Sequence, residues 1–196
     1  MRNVVVNEQL SLDGVAQAPG GPEEDTSRGF AHGGWHMQYA DEVGGSWVRE
    51  GIVEAGGFLL GRRTYEIFAG YWPTATDAPQ DLAEPLNTKP KYVASRTLTT
   101  TEWENSTVLE GDVPEAVAAL KREDGGDLHV WGSTEVVATL VEHGLVDELR
   151  LLIDPVVLGG GKRFFRDDGV LRPLRLVDSM VNTKGVILAT YVPAGV

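Results

Sequence analysis

Three short segments of this chain place glycine, hydroxyl and cationic residues directly after an apolar run. The first is Gly61–Thr64, which follows the apolar run Gly57–Leu60. An apolar run that ends at glycine before a helical stretch indicates a buried strand leading into a helix N-terminus. Unpaired N–H groups and the helix dipole attract phosphate there, and the guanidinium groups of Arg62 and Arg63 strengthen that attraction. The segment predicts a phosphate site, although two surface arginines at an ordinary helix start give the same pattern.

The second segment begins with Ser95 and Arg96, which follow the strand-like run Lys91–Ala94. Side chains just past the carboxyl end of a strand stand where open α/β sheets bind ligands. A hydroxyl and a guanidinium at that point could hold an adenosine ribose 2′-phosphate, which would select NADP(H) over NAD(H). Taken alone, the segment also fits a polar turn.

The third segment follows the strand-like run Leu128–Trp131. Gly132 lets a ligand approach the backbone, and the N–H groups of Ser133 and Thr134 could bind a pyrophosphate. The alternative is an ordinary helix with Ser133 as its N-cap. The segment is not a G-x-G-x-x-G fingerprint, so no standard Rossmann site is predicted. Three such strand ends in one sheet predict a dinucleotide laid across the carboxyl edge.

The order of apolar runs and helical periodicities predicts the architecture that must position these segments. Strands and helices alternate through the first three quarters of the chain, and the runs Leu174–Val177 and Gly185–Val192 form an antiparallel pair. This order predicts a single α/β domain over residues 1–196, with a mainly parallel sheet and an antiparallel C-terminal edge. A helix is predicted over residues 41–54 and a short one over 64–68. Residues 73–90 are predicted to be a loop, because they hold four of the ten prolines, Pro73, Pro79, Pro85 and Pro90.

Composition excludes several classes of function. The chain has 196 residues and a formal net charge of −12, which argues against nucleic acid or an anionic membrane as a partner. It has no cysteine, so disulfides and thiolate metal sites are excluded, and no histidine cluster predicts another metal site. No targeting signal or membrane-spanning run is visible, so a cytoplasmic protein is expected.

A long irregular stretch over residues 16–36 interrupts the pattern of strands and helices. It carries Phe30, His32, Trp35 and His36, an unusual concentration of aromatic and titratable groups for a solvent loop. Loops of this length inside a compact domain are more often functional or mobile than idle. We therefore expect this loop to be functional or mobile.

The chain resembles the dihydrofolate reductase-like superfamily, and most of all the reductase domain of the riboflavin-biosynthesis deaminase–reductase in its stand-alone form. The resemblance covers most of the chain, and its most specific block is the C-terminal one. The motifs that carry it are Ser11-Leu12-Asp13-Gly14, Leu60-Gly61-Arg62-Arg63-Thr64-Tyr65, Ala94-Ser95-Arg96-Thr97, Val130-Trp131-Gly132-Ser133, and the stretch from Leu145-Val146-Asp147-Glu148-Leu149-Arg150 through Pro155-Val156-Val157-Leu158-Gly159-Gly160-Gly161-Lys162-Arg163-Phe164-Phe165.

The resemblance implies a dihydrofolate reductase-like three-layer fold, with helices on both faces of the sheet, that binds NADPH. It also implies a homodimer whose C-terminal strands contribute to the interface. The residues that would contact the cofactor are Leu12, Asp13, Gly14, Val15, Gly61, Arg62, Arg63, Thr64, Ser95, Arg96, Trp131, Gly132, Ser133, Thr134 and Glu135.

One departure bears on the substrate. Dihydrofolate reductases carry a pterin-binding carboxylate on the helix before the Gly-Arg strand, and the matching position here is near Gly45. Proton delivery could come from water or from an acid such as Asp41 or Glu50, although each acid also fits a solvated helix face. The aromatic candidates for substrate contact are Phe30, His32, Trp35 and Trp47.

The expected activity is hydride transfer from NADPH to a C=N or C=O carbon of a small pteridine- or pyrimidine-like heterocycle. A reductase of the 5-amino-6-(5-phosphoribosylamino)uracil type is the leading form of this hypothesis. The alternatives are a dinucleotide-binding protein without turnover and a true dihydrofolate reductase. No zinc-deaminase signature of the H-x-E…P-C-x-x-C type is present, so no deaminase activity is expected.

Overall fold

A computed structural model describes residues 1–195, and an eight-stranded sheet organises them. The strand order is β4-β3-β2-β5-β1-β6-β8-β7, in which β8 runs antiparallel to both β6 and β7 and the other neighbours are parallel. The prediction of a mainly parallel sheet with an antiparallel C-terminal edge is confirmed. The elements are β1 (Val4–Ser11), α1 (Glu42–Glu54), β2 (Gly57–Gly61), α2 (Arg62–Tyr71), α3 (Gln80–Thr88), β3 (Lys91–Ala94), β4 (Ser106–Val108), α4 (Val113–Arg122), β5 (Leu128–Trp131), α5 (Thr134–Glu142), β6 (Glu148–Asp154), β7 (Leu174–Val181) and β8 (Ile187–Pro193).

Helices cover both faces of the sheet and give three layers, as in dihydrofolate reductase. On one face α4 and α5 bury side chains such as Val117 and Leu140 against the sheet. On the other face α1, α2 and α3 bury Ile52, Tyr65 and Leu86. Full burial of such a side chain contributes about 1.5–3 kcal/mol, so the two clusters supply most of the driving force for folding.

The central strand β2 has apolar residues at successive positions because both of its faces are covered. Leu59 and Leu60 point to opposite faces of β2, and each is 1% exposed or less. Strands that are parallel to one another end at the same edge of the sheet. The carboxyl ends of β1, β2 and β5 therefore meet, and the helices α2 and α5 both start at this edge.

The prediction of a loop over residues 73–90 is wrong for the second half of this range. Helix α3 spans Gln80–Thr88 there, with Pro85 inside it. Tertiary contacts outweigh the proline, because Leu86 is fully buried in the cluster under α1 and α2. The C-terminal end of α3 is also stabilised by Lys91, whose Nζ donates to the carbonyls of Leu86 at 2.8 Å and Asn87 at 3.1 Å. Similarly, α2 extends beyond the predicted 64–68 at both ends.

No helix within residues 1–195 is both long enough and apolar enough to cross a membrane. The longest helix, α1, has 13 residues, whereas about 20 apolar residues are needed to span a bilayer.

Candidate functional site

A cleft with a volume of about 520 Å³ opens at the edge of the sheet where α2 and α5 begin. Its walls are formed by the first residues of these two helices, by residues 16–20 of the long loop, and by an apolar patch that includes Val48 and Phe68. Of the predicted cofactor-binding residues, the cleft brings together those of the first and third segments. These are Gly61, Arg62, Arg63, Thr64, Trp131, Gly132, Ser133, Thr134 and Glu135.

The starts of α2 and α5 are joined by the side chain of Ser133. Its Oγ accepts a hydrogen bond from the backbone N–H of Gly61 at 2.8 Å and lies 2.7 Å from Thr64 Oγ1. Gly132 and Ser133 both have left-handed backbone conformations, with φ of 56° and 64°. These conformations turn the Ser133 side chain away from α5 and toward the β2–α2 junction. Ser133 is the N-cap residue of α5, as the alternative predicts, but its side chain makes no capping hydrogen bond to that helix.

The same arrangement leaves two helix N-termini side by side with no side-chain cap of their own. The N-cap residue of α2 is Gly61, and no side chain caps either helix. The first N–H groups of a helix have no partner within that helix, and the dipole makes this end positive. A side chain at Gly61 would also collide with Ser133, since an added Cβ would lie 2.8 Å from its Oγ. The arrangement is suited to an anion with at least two charged groups.

Three cationic side chains line the cleft, and each is paired with a carboxylate. Arg62 Nε binds Glu66 Oε1 at 2.6 Å, within the first turn of α2. Arg63 and Lys162 both bind Asp25, which comes from the long loop. Burial alone would raise the pKa of Asp25, but hydrogen bonds from Lys162, Ser27 and Arg63 outweigh it and hold the pKa well below its usual range. Asp25 is therefore an anion between two cations of the cleft.

The long loop over residues 16–36 lies along the cleft and is tied to itself by hydrogen bonds. Gln17 Nε2 donates to the carbonyls of Asp25 and Ser27, both at 3.0 Å, and its Oε1 accepts from the backbone N–H of Lys162 at 2.9 Å. Glu24 Oε2 accepts the backbone N–H of Gly20 at 2.8 Å. These contacts make the loop an ordered wall of the cleft.

The turn after β1 has a structural role in this conformation. Asp13 accepts hydrogen bonds from Ser11 Oγ at 2.7 Å and from the backbone N–H groups of Leu158 and Gly159 at 3.1 and 3.0 Å. These bonds, that of Ser11 foremost, lower the pKa of Asp13. The four predicted cofactor residues of this turn do not line the cleft. They are Leu12, Asp13, Gly14 and Val15.

The second predicted segment lies just past the end of the cleft. Ala94, the last residue of β3, lines the cleft, and Ser95 Oγ accepts the backbone N–H groups of Thr97 at 3.2 Å and Leu98 at 2.9 Å. The side chain of Arg96 is exposed and, within residues 1–195, makes no hydrogen bond or ion pair. Arg62 Nη1 donates to Thr97 Oγ1 at 2.6 Å, which places a second guanidinium beside this turn.

The two predicted acids lie outside the cleft. Asp41 is the N-cap of α1, where its Oδ1 accepts from Gly44 N at 2.9 Å and its Oδ2 from Thr183 Oγ1 at 2.7 Å. These bonds, with that of Gly44 first, lower the pKa of Asp41 to about 2. Glu50 binds Arg150 at 2.9 Å and is half-exposed. This placement gives no support to a proton-transfer role for either acid.

The four aromatic residues predicted to contact the substrate also lie elsewhere. Phe30 packs edge-on against His32 with ring centroids 5.6 Å apart, and His32 is exposed. Trp35 is buried, and its indole N–H donates to the carbonyl of Gln17 at 2.8 Å. Trp47 belongs to the core under α1, with the Arg150 guanidinium 4.4 Å from its ring centroid. Their contacts are structural ones in this conformation.

Glu8 is a cleft residue that the sequence patterns did not single out. It lies in β1 with only 3% of its surface exposed, and it lines the cleft. Burial, reinforced by the nearby charge of Glu24, raises the pKa of Glu8 to about 8. The available signal was the run Asn7-Glu8-Gln9 within a strand that the fold buries on both faces.

A second and larger depression, of about 880 Å³, lies between α2 and the segment after β3. Its lining includes the carboxylates Glu66, Glu102 and Glu104 and has no lysine or arginine. This charge distribution repels phosphate, so the depression is a poor candidate for a nucleotide site despite its size. Among residues 1–195, no group of three or more His, Asp or Glu side chains is placed to hold a metal ion.

The fold and the cleft together define a three-layer α/β protein with a candidate anion-binding cleft at the carboxyl edge of its parallel strands. Comparison with known families gives the next step. The chain belongs to the RibD C-terminal domain family, whose model matches residues 2–188. A relative in Bacillus subtilis, the uncharacterized protein YyaP, is 35% identical over 136 residues, which cover 68% of this chain and 71% of that protein.

Solved structures confirm the fold. The bifunctional diaminohydroxyphosphoribosylaminopyrimidine deaminase/5-amino-6-(5-phosphoribosylamino)uracil reductase of Thermotoga maritima aligns with a TM-score of 0.63 at 17% identity, over 98% of this chain and 57% of that one. Dihydrofolate reductase from Enterococcus faecalis, in complex with NADP(H) and RAB-propyl, aligns with a TM-score of 0.60 at 16% identity, over 98% and 97% of the two chains. The predicted resemblance to both groups is confirmed, and the chain is a member of a reductase-like family.

Proposed function

We propose that this protein is an NADPH-dependent reductase that transfers hydride to the C=N or C=O carbon of a small pyrimidine- or pteridine-like heterocycle. The cofactor would supply the hydride, and the protein would hold the two reacting rings together and exclude water. The family membership and the alignment with two reductases support the reaction class.

One observation carries the proposal: the uncapped N-termini of α2 and α5 lie side by side and open into one cleft. A pyrophosphate has two adjacent charged groups and can accept hydrogen bonds from both helix ends. Gly61 and Gly132 keep the backbone accessible there, and Arg63 and Lys162 supply positive charge. A dinucleotide would therefore lie along the sheet edge with its pyrophosphate between the two helices.

The preference for NADPH over NADH rests on the turn after β3. Arg96 is exposed and free of partners within the described residues, and Arg62 reaches the same turn through Thr97. Two guanidinium groups at one end of a dinucleotide cleft suit the extra phosphate on the adenosine ribose. Ser95 Oγ only accepts hydrogen bonds within the described residues, so its O–H would add a further donor.

The wall of the cleft favours a flat heterocycle and disfavours folate. The α1 residues that line the cleft are Val48 and Ile52, so this helix presents no carboxylate to a pterin. The aromatic and aliphatic residues Phe68, Trp72 and Leu86 continue the apolar wall. Mostly apolar walls with a few polar groups are typical of small-molecule sites. A pyrimidine of the kind named for the Thermotoga relative fits this description.

Binding and turnover test the proposal in two stages. NADPH added to the protein should quench tryptophan fluorescence, because Trp72 and Trp131 line the cleft, and should raise Tm. NADPH oxidation would then be followed with 5-amino-6-(5-phosphoribosylamino)uracil and with dihydrofolate. Absence of both quenching and thermal shift would refute the cofactor site. Tight NADPH binding with no oxidation of it by either compound would favour a dinucleotide-binding protein without turnover.

We further propose that the protein forms a homodimer through β7. Every residue of this edge strand is exposed, including Leu176, Val177 and Val181. Exposed apolar edge strands pair with other chains unless they are protected. Sedimentation velocity should show a dimer that becomes a monomer when Val177 and Val181 are both replaced by lysine, and a monomeric wild-type protein would refute the proposal.

A further inference from the structure

Glu8 stands at the point where two central strands separate. The pairing of β1 with β5 ends at Asn7 and Trp131, while β1 continues beside β6 and pairs Glu8 with Leu151. Glu8 is thus one residue beyond the last β1–β5 pair. The neighbouring chain there is Gly132, at the start of the turn into α5, and both residues line the cleft.

The carboxyl group of Glu8 has an unfilled hydrogen-bonding position. Its Oε1 accepts the backbone N–H of Gln9 at 3.3 Å, whereas Oε2 is buried and has no partner within residues 1–195. A buried carboxylate without a cation is strongly disfavoured, and the neutral carboxyl has a proton to donate. Trp131, which also lines the cleft, has a second unsatisfied polar atom. Its indole Nε1–H is buried and makes no hydrogen bond within residues 1–195.

The charged groups around the cleft do not neutralise Glu8. Lys162 and Arg63 are both paired with Asp25. Of the remaining cleft carboxylates, Glu24 accepts backbone N–H groups of the loop. Two further ion pairs lie at the cleft, Arg62 with Glu66 and Arg166 with Glu135. Helix α1 contributes only apolar residues to the cleft wall. Glu24 opposes ionisation of Glu8, in the same direction as burial.

We propose that Glu8 is the proton donor of the reduction, an inference that rests on the proposed reductase function. Asp41 and Glu50 lie outside the cleft, and the other cleft carboxylates are paired with cations or with backbone N–H groups. Glu8 alone combines burial, a place in the cleft wall and an unpartnered oxygen among the acids that line it.

The proposed reduction adds one hydride and one proton across a double bond of the substrate. The substrate carbon gains a hydride and forms a new C–H bond, while the π electrons of the C=N or C=O bond move to the heteroatom. That heteroatom would take the proton from the Glu8 carboxyl, and NADPH, the hydride source, would leave as NADP⁺. The resulting Glu8 carboxylate would recover a proton from water after the product leaves the cleft. The indole N–H of Trp131 is available to hold an acceptor atom of the ring while this occurs.

The test compares Glu8→Gln with wild type and with Glu8→Asp, which keeps an acid on a shorter side chain. Single-turnover NADPH oxidation is measured with 5-amino-6-(5-phosphoribosylamino)uracil and with dihydrofolate, between pH 6 and about 9.5. The wild-type rate should fall above about pH 8 as Glu8 ionises. Glu8→Gln should be at least about 100-fold slower and insensitive to pH in this range, while its NADPH affinity changes less than about threefold. Glu8→Asp should recover part of the rate.

Two results would overturn the inference, and only the second would also refute the proposed reductase function. If wild type turns over and Glu8→Gln matches its rate and pH profile, Glu8 is not the donor and the reductase function stands. If wild type oxidises NADPH with neither compound, the proposed function fails and the inference fails with it. An infrared difference spectrum at pH 7 gives an independent check, since wild type should show a neutral carboxyl band that Glu8→Gln lacks. Absence of that band would contradict the inference even if Glu8→Gln is slow.

Discussion

The Ser133 hydroxyl accepts a hydrogen bond from the backbone N–H of Gly61 at 2.8 Å and thereby joins the starts of α5 and α2. The two residues are 72 positions apart in the chain, yet their contact fixes the spacing of two uncapped helix N-termini. If those termini hold a pyrophosphate, the hydroxyl is a positioning group for the cofactor. Its second partner, Thr64 Oγ1, lies 2.7 Å away.

Removal of this contact should weaken NADPH binding. Ser133→Gly deletes the hydroxyl but tolerates the left-handed backbone at this position, whereas alanine would add strain there. We expect the Kd for NADPH to rise about tenfold and the free energy of unfolding to fall by about 1 kcal/mol. Thr64→Val should weaken binding in the same direction, and Thr64→Ser, which keeps the hydroxyl, should behave like wild type. Unchanged affinity in a folded Ser133→Gly protein would remove the positioning role.

Arg96 should distinguish the two nicotinamide cofactors. Arg96→Ala removes a guanidinium that has no partner within the described chain. We therefore expect little change in the free energy of unfolding. Loss of a charge-assisted contact with the 2′-phosphate should raise the Kd for NADPH about 10- to 100-fold, and the Kd for NADH should change less than about twofold. Fluorescence titration measures both, with the exposed Arg122→Ala at the end of α4 as the control. Equal losses for NADPH and NADH would contradict the 2′-phosphate role.

Asp25 should hold the long loop closed and should compete with an incoming phosphate for Arg63 and Lys162. Asp25→Asn keeps the shape and removes the charge, so we expect faster proteolysis within residues 20–30 and tighter binding of NADPH. The folded-state pKa of Asp25 is lowered, so its contribution to stability is present above the unfolded pKa near 4 and is lost as pH falls through the folded value. The stability difference from wild type should therefore be largest near pH 7 and shrink in acid. The exposed Asp124→Asn is the control, and a pH-independent difference would argue against the ion pairs.

Glu8 should make the protein less stable as pH rises. Its pKa is raised from 4.5 to about 8, so the folded state binds more protons than the unfolded state across this window. The free energy of unfolding of wild type should fall relative to Glu8→Gln by about 1.4 kcal/mol for each pH unit between these values. Below pH 4.5 the difference should be constant. Urea unfolding at several pH values measures it, with the exposed Glu110→Gln as control, and parallel curves would show that Glu8 is ionised in the folded protein.

Much of the fold could be predicted because burial leaves a strong pattern in the sequence. Strand β2 is recognisable as the apolar run Gly57–Leu60, and the mainly parallel sheet follows from the order of such runs. Helix α3 could not be predicted, because Pro85 argues against a helix and only the buried contacts of Leu86 with distant elements outweigh it.

The candidate site was predictable only in part, for a related reason. Glycine and arginine segments after strands are local signals, and two of the three segments meet in the cleft. The contact between Ser133 and Gly61 depends on left-handed backbone angles that serine rarely adopts, so no local rule predicts it. Glu8 was missed because its significance depends on where β1 and β5 diverge, which only the assembled sheet shows.

A crystal structure of the protein with NADPH tests the central claim most directly. We predict that the pyrophosphate lies between the N-termini of α2 and α5, within hydrogen-bonding distance of backbone N–H groups from Arg62–Thr64 and Ser133–Glu135. The nicotinamide ring should then lie on the Glu8 side of the cleft. A cofactor bound elsewhere, such as the depression lined by Glu102 and Glu104, would contradict the account.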